Sequence, residues 1–168
     1  MKILTYPDAG LKQDCATVTK FDEPLRQFVT ELETFMRSQP GGIGIAAPQV
    51  GEAIRLCIVD LTGMTRGKKR QSVPNQGRMV LINPEITEWE GFELGREGCM
   101  SVPDYTGNVI RATRITFTAE DEWGERHEYE SEGFEARAIQ HEVDHLDGLL
   151  FLDRLVSRRS DLFQRKKR

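Results

Sequence analysis

Residues 134–148 read FEARAIQHEVDHLDG, a helix with its stop signal attached. Phe134, Ala138, His141 and His145 recur at helical spacing and share one stripe. Gly148 follows as a natural C-terminal stop. Inside the helix, His141-Glu142-Val143-Asp144-His145 is an HExxH. The i, i+4 spacing sets both imidazoles on one face, where they can share one metal ion. Glu142 points roughly 100° away around the axis, near enough to reach a metal-bound water without being a ligand. The alternative is a solvated face with incidental histidines. The Phe134/Ala138 stripe argues against it, because it predicts that this face turns inward.

A catalytic metal site normally takes three protein ligands and keeps one position open for water. No histidine follows His145, and the downstream carboxylates are Asp147, Asp153 and Asp161. Asp147 is too near in sequence for comfortable chelation. A thiolate is the other source. Cys57 stands in an apolar strand and reads as a small core residue. Cys15 lies in a polar stretch without partner cues. Cys99, in the glycine-punctuated segment Arg-Glu-Gly-Cys-Met-Ser-Val-Pro (96–103), is the favoured candidate of the three. A further unusual segment, GIGIAAPQVG (42–51), has alternating glycines that allow close backbone approach. No Gly-Lys-Ser/Thr follows it, so a nucleotide loop is poorly supported. Its Gln49 offers an amide donor for an oxyanion.

Farther out, residues 22–37 read as a helix. Asp22 caps it, Pro24 fits the first turn, and Leu25, Phe28, Val29, Leu32, Phe35 and Met36 recur at helical spacing. Ser38–Gly42 stops it. Ile54–Leu61 reads as a buried strand, 62–77 as a polar exposed loop, and Met79–Ile82 as a short strand ended by Asn83-Pro84. Ile110–Glu120 alternates as a strand, and Glu125–Glu130 pairs back on it. Arg154–Lys167 reads as a short basic terminal helix. The expectation is α+β: a single compact domain, 1–168, with antiparallel strands packed around the central HExxH helix.

Composition agrees. At 168 residues, 38% hydrophobic and 30% charged, the chain suits one ordinary domain and neither collagen, coiled coil nor disorder. No apolar run approaches the ~20 residues of a membrane span, and the start MKILTYPD shows no signal or transit pattern. Three cysteines argue against a secreted disulfide framework, so a reducing cytoplasm is expected. Net charge is −4, but residues 154–168 hold seven Lys/Arg and one acid, a local +6 against −10 for residues 1–153. So acidic a body speaks against DNA binding. The basic end suits an anionic partner such as the RNA of the ribosome, or is a solvated helix end complementing the helix dipole.

The three unusual segments together resemble the peptide deformylase family, metalloenzymes that remove the N-formyl group from nascent polypeptides. The family's GxGxAAxQ loop, EGCxS segment and QHExDHLxG helix stand here in order as Gly42–Gln49, Glu97–Ser101 and Gln140–Gly148. The resemblance covers nearly the whole chain. It implies that Cys99, His141 and His145 hold one Fe2+ ion, which Zn2+ or Ni2+ can replace, with water in the fourth position. It implies Glu142 as general acid/base, with the Gln49 amide and the Met100 backbone N–H holding the oxyanion. Glu97 is similar to an acid that fixes His141 through its other ring nitrogen. The backbone of Gly42, Ile43, Gly44 and Ile45 is expected to pair with an N-formylmethionyl peptide as an added strand. Phe134, Arg137 and Ala138, with Ile43 opposite, are expected to form the methionine pocket; the Arg137 stem lines it while its head reaches water. Products are formate and a free N-terminal methionine.

Four positions depart from the family pattern. Arg137 and Gly95 stand where apolar side chains are usual, Gly41 where an acid or amide often stands, and Thr106 where an arginine is common. Arg111 and Arg114 are the candidates to replace that arginine. Two rival readings remain: a metal-dependent endopeptidase, which cleaves internal bonds of unformylated protein, and a non-catalytic paralogue that keeps the metal for binding. Intact Glu142 and Gln49 weigh against the second.

Overall fold

The computed structural model describes residues 1–165. Helix α1 (Glu23–Ser38) starts where the Asp22 carboxylate accepts from Leu25 N–H, with Pro24 in its first turn. Strand β1 (Gly44–Ala46), a 3₁₀ turn (Ala47–Val50) and β2 (Leu56–Val59) follow. Next come the two-residue strands β3 (Thr65–Arg66) and β4 (Gln71–Ser72), then β5 (Met79–Glu90), β6 (Glu93–Cys99) and β7 (Val102–Arg111). Strands β8 (Arg114–Glu120) and β9 (Arg126–Glu132) lead into α2 (Gly133–Leu146), and the one-turn α3 (Arg158–Asp161) into β10 (Leu162–Gln164). These strands pair antiparallel throughout: a five-stranded sheet β1-β2-β5-β8-β9, a three-stranded sheet β10-β7-β6 and the β3-β4 hairpin. The architecture is α+β, as expected.

Strand β2 places the two long helices. Its apolar residues are buried on both faces, which is why it reads as a continuous run and not as an alternation. Cys57 and Val59 join Ala136, Ile139, Val143 and Leu146 of α2 in one core cluster. Leu56 and Ile58 join Leu25, Val29, Leu32 and Met36 of α1 in another. A third cluster sets the smaller sheet against Leu11, Leu150, Phe151 and Leu152. Helix α2 ends as its sequence predicts: Gly148 adopts φ +74°, its N–H donates to His145 O, and Leu149 N–H donates to Asp144 O at 2.9 Å.

Several expected boundaries move. Strand β5 does not stop at Asn83-Pro84. Asn83 takes φ +50°, its side chain bonds both Val18 N–H and Val18 C=O, and a register shift between Ile82 and Glu85 absorbs the proline. The strand there exchanges its neighbour β2 for β8. The stretch Ile110–Glu120 is broken at Ala112-Thr113 into strands of two different sheets. Residues 62–77 are largely exposed but carry the β3-β4 hairpin, whose Arg66 guanidinium sits 4.3 Å from the Phe134 ring centroid. Strand β6 and most of β7 were not expected, because Gly95, Gly98 and Gly107 interrupt the apolar pattern.

The short basic C-terminal helix is present, but its expected extent, Arg154–Lys167, is corrected. Among the described residues of Arg154–Lys167, only Arg158–Asp161 is α-helical, and the chain then extends as β10, pairing Leu162 with Gly107 and Phe163 with Thr106. The reason is an available edge: without β10, β7 would keep unpaired backbone groups on the side away from β6, and Leu162 packs at the third core cluster. Residues 166–168, the end of the basic tail, lie outside the described residues. Arg154 is not free for a partner, since it pairs with Asp144 at 2.9 Å. Among the described residues no helix is long and apolar enough to cross a membrane.

Candidate metal centre

Cys99, His141 and His145 come together, with ligating atoms all within 4.8 Å of one another. The histidines lie one turn apart on α2, ring centroids 5.1 Å apart and planes at 72°. Cys99 ends β6 at a register shift, and its Sγ lies 3.4 Å from His145 Nε2. A tetrahedron drawn with metal–sulfur about 2.3 Å and metal–nitrogen about 2.0 Å has an edge of roughly 3.5 Å. Two imidazoles and one thiolate suit a divalent transition metal. Charge fits as well. Burial and the neighbouring His141 hold His145 well below its usual pKa, hence neutral, the form that ligates. Burial opposes a proton on His141, but Cys99, Glu97 and Glu142 outweigh it, a crowding of negative groups that a cation relieves. The donors therefore fit a metal.

Glu97 fixes one of the three clustered donors. Its Oε1 accepts from His141 Nδ1 at 2.8 Å, which leaves His141 Nε2 for the ion. Burial alone would raise the Glu97 carboxyl, yet Arg111 and His141 hold it well below the usual carboxylate range. Arg111 grips both Glu97 oxygens at 2.9 Å and reaches Asp144 at 2.6 Å. Of the two expected substitutes for the missing arginine, Arg111 fills the role. Arg114 instead pairs with Glu130 at the surface.

Glu142 is buried, and its Oε1 has no hydrogen-bond partner among the described residues. Burial pushes its carboxyl up to about 7, against the pull of His141. Its other oxygen rests over a bare Cα: a Cβ built on Gly44 would lie 2.6 Å from Glu142 Oε2. The close approach anticipated from the glycine segment thus includes α2 itself. Gln49 is buried; its Oε1 accepts from Ala46 N–H at 2.9 Å, and its Nε2 donates to Ser101 Oγ at 3.1 Å and lies 3.6 Å from Cys99 Sγ. A cavity of about 140 Å³ is lined by Ile43, Gly44, Gln49, Met100, Phe134, Arg137, Ala138 and Glu142 together with Cys99 and His141. Gly42 and Ile45 do not line it. Ile45 is core, and a Cβ on Gly42 would strike Met36 O at the end of α1.

Arg137 departs from its expectation. Its head does not extend freely into water but turns inward, the side chain keeping 11% exposure, and donates to Glu97 Oε2 at 2.7 Å, Val109 O at 3.0 Å and Glu93 O at 2.7 Å. Sequence reasoning missed three supporting residues. Gln140 donates to Ala112 O and accepts from Ala112 N–H, which turns the chain between β7 and β8 onto α2. Asp144 receives Arg111 and Arg154, and Ser101 anchors Gln49. Gln140, Asp144 and Ser101 all lie inside the quoted motifs, which was the available signal.

A family model for polypeptide deformylase matches residues 1–161. The chain belongs to the polypeptide deformylase family. Peptide deformylase of Wolinella succinogenes is 42% identical over 167 residues, spanning 99% of this chain and 92% of that one. The enzyme of Acidobacterium capsulatum is 41% identical over 166 residues, with 99% and 92% covered. Among solved structures, peptide deformylase from Thermotoga maritima superposes with a TM-score of 0.80 at 35% identity, over 93% of this chain and 97% of that chain. The Met-Ala-Ser-bound peptide deformylase of Acinetobacter baumannii gives 0.83 at 36% identity, over 92% and 98%. Polypeptide deformylases are metalloenzymes that remove the N-formyl group from nascent peptides, and this chain is an enzyme of that kind.

Proposed function

We propose that Cys99, His141 and His145 hold one ferrous ion, and that the site hydrolyses N-formylmethionyl nascent peptides with Glu142 as the proton carrier. The observation that supports this most is the convergence of the three donors beside a buried, unpartnered Glu142 oxygen in a cavity walled by Gly44. The bound ion, for which zinc or nickel can substitute, supplies Lewis acidity that acidifies water and polarises the formyl carbonyl. Glu142 takes a proton from the attacking water and delivers one to the departing amine nitrogen. Burial of its carboxyl suits both directions of transfer. The Gln49 Nε2 and the Met100 backbone N–H donate to the oxyanion that develops on the formyl oxygen. Glu97 keeps the His141 ring in one orientation throughout. β1 is an edge strand of its sheet, which leaves a side for an extended peptide to join. Ile43, Phe134, Arg137 and Ala138 receive the first side chain. Products are formate and the free amino terminus. A cytoplasmic setting suits a site that depends on one reduced thiolate.

The test is formate release from a formyl-Met peptide by anaerobically prepared, iron-loaded protein. Turnover that is lost on chelation is the expected result. Metal-loaded protein that releases no formate overturns the assignment, and cleavage of internal bonds in unformylated protein would establish an endopeptidase instead.

A further inference from the structure

Residues 61–84 contain no Asp or Glu, and Arg66, Lys68, Lys69 and Arg70 concentrate four cations in the exposed β3-β4 hairpin. The body around them is acidic, −10 over residues 1–153 with these four included. None of the four forms a salt bridge among the described residues, whereas Arg78 farther along meets both Glu33 and Glu122. The hairpin is fixed at its base. Met64 packs with Ile43 and Phe134 against the first core cluster, Val73 N–H donates to Met64 O at 3.0 Å, and the Arg66 guanidinium lies over the Phe134 ring. Beyond that base, Lys68, Lys69 and Arg70 form the exposed tip.

The tip stands at a defined end of the cleft. Gln49 accepts from Ala46 N–H and lies beside Cys99 Sγ, so the C-terminal end of β1 is the end at the donor cluster. At the other end, Ile43 O accepts from Asp60 N–H at 2.9 Å, where the chain leaves β2 for the hairpin. A formyl group held among the donors therefore sends the rest of an extended peptide along β1 from Ala46 toward Ile43 and Gly41, both of which line the cavity.

We propose that the hairpin tip is a binding surface for acidic side chains of the peptide, a few residues downstream of its formylated end. The proposal rests on the deformylase reading and names a substrate class within it, chains whose early residues are acidic. Reach fits: from Arg66 to Arg70 the backbone covers at most about 13 Å, which an extended peptide spans in about four residues. Charge fits as well. Cations with no internal partner give up no salt bridge when they meet a carboxylate, and on an acidic body they are the local attraction for an anionic segment. The tip is exposed, so this attraction is screened by salt.

The experiment measures kcat/KM of the metal-loaded enzyme for formyl-Met-Ala-Ser-X-X-X-amide with X aspartate, serine or lysine, in about 20 mM and about 500 mM salt. The first three residues are constant, so a difference arises downstream of them. The measurements are repeated on the triple variant Lys68→Ser/Lys69→Ser/Arg70→Asn, in which asparagine tolerates the φ of +49° at residue 70. The expected aspartate-to-lysine ratio is about tenfold in the native enzyme at low salt, and it falls close to one at high salt and in the variant. The serine peptide should turn over alike in both proteins. A ratio near one in the native enzyme at low salt, or one that the triple variant leaves unmoved, overturns the proposal. Should the variant fail to fold, the salt dependence of the native ratio decides, and a ratio that salt does not move counts against the proposal. Weaker binding of the variant to ribosomes with an unmoved peptide ratio assigns the tip to RNA instead. No turnover of the serine peptide overturns the deformylase reading and the proposal with it, whereas turnover with an unmoved ratio overturns the proposal alone.

Discussion

At the scale of single residues, the centre separates holding a metal from using it. Glu142 is outside the cluster of Cys99, His141 and His145, so under the proposed mechanism Glu142→Ala is expected to retain the metal and lose at least a hundredfold in kcat, checked by metal content beside formate release. Gly44 makes a subtler test of the same carboxylate. Alanine there meets Glu142 Oε2 at 2.6 Å, and the carboxylate must move. Gly44→Ala should lower kcat by about tenfold to a hundredfold with metal content and melting temperature close to native; unchanged kcat would show that the carboxylate position is not critical. How much of this was legible depended on whether a residue's partner lies near it in sequence. His141 and His145 declare themselves by spacing on one helix. Cys99 emerged by comparison with two other cysteines. The inward turn of Arg137 was not legible, because it packs against Gly95, where a Cβ would lie 2.7 Å from Arg137 Cζ, on a strand that the pattern did not reveal. Arg111 and Asp144 were unreadable as a pair for the same reason: 33 residues of chain separate them.

At the scale of elements, the helices and the two-faced strand β2 were legible because their apolar periodicity is strong and their stops are chemical. Asp22 and Gly148 mark ends that the backbone confirms. Strands β6 and β7 were not, since their stability comes from pairing with each other and from the third core cluster, neither of which has a local signature. The terminal helix is one turn long for a related reason: beyond Asp161, local charge and propensity lost to the edge of β7. Between elements, one side chain has a large part. Gln140 satisfies both backbone groups of Ala112, fixing α2 against the turn between β7 and β8. Gln140→Ala leaves a buried N–H and C=O unpaired, and should destabilise the fold by about 2–4 kcal/mol. Urea unfolding measures this; a loss under about 0.5 kcal/mol would mean that the pairing is dispensable.

At the scale of the whole molecule, acid sensitivity has identifiable sources away from the centre. Asp60 is buried and accepts from Arg37 at 2.8 Å and from Thr62 N–H at 2.9 Å. Burial pushes its carboxyl up, but Thr62 and Arg37 outweigh burial and hold it below its ordinary value. A depressed carboxyl stabilises the fold above its unfolded pKa of about 3.9 and loses that contribution as pH falls through the folded value. Asp60→Asn should therefore cost about 1 kcal/mol at pH 7, modest because Arg37 is half exposed, with the deficit shrinking below about pH 4. Denaturant midpoints of both proteins at the two pH values check this, and a deficit that grows in acid would reverse the sign. The donors themselves are spread along the chain: Cys99 ends a strand, whereas His141 and His145 come more than forty residues later on α2. During synthesis a growing chain must expose the thiol long before it owns the imidazoles. With the proposed ligand set there is no complete cage until residue 145 emerges, so metallation would wait for the late helix to dock, and any chain released short of it would carry the Cys99 thiol without its imidazole partners, open to oxidation.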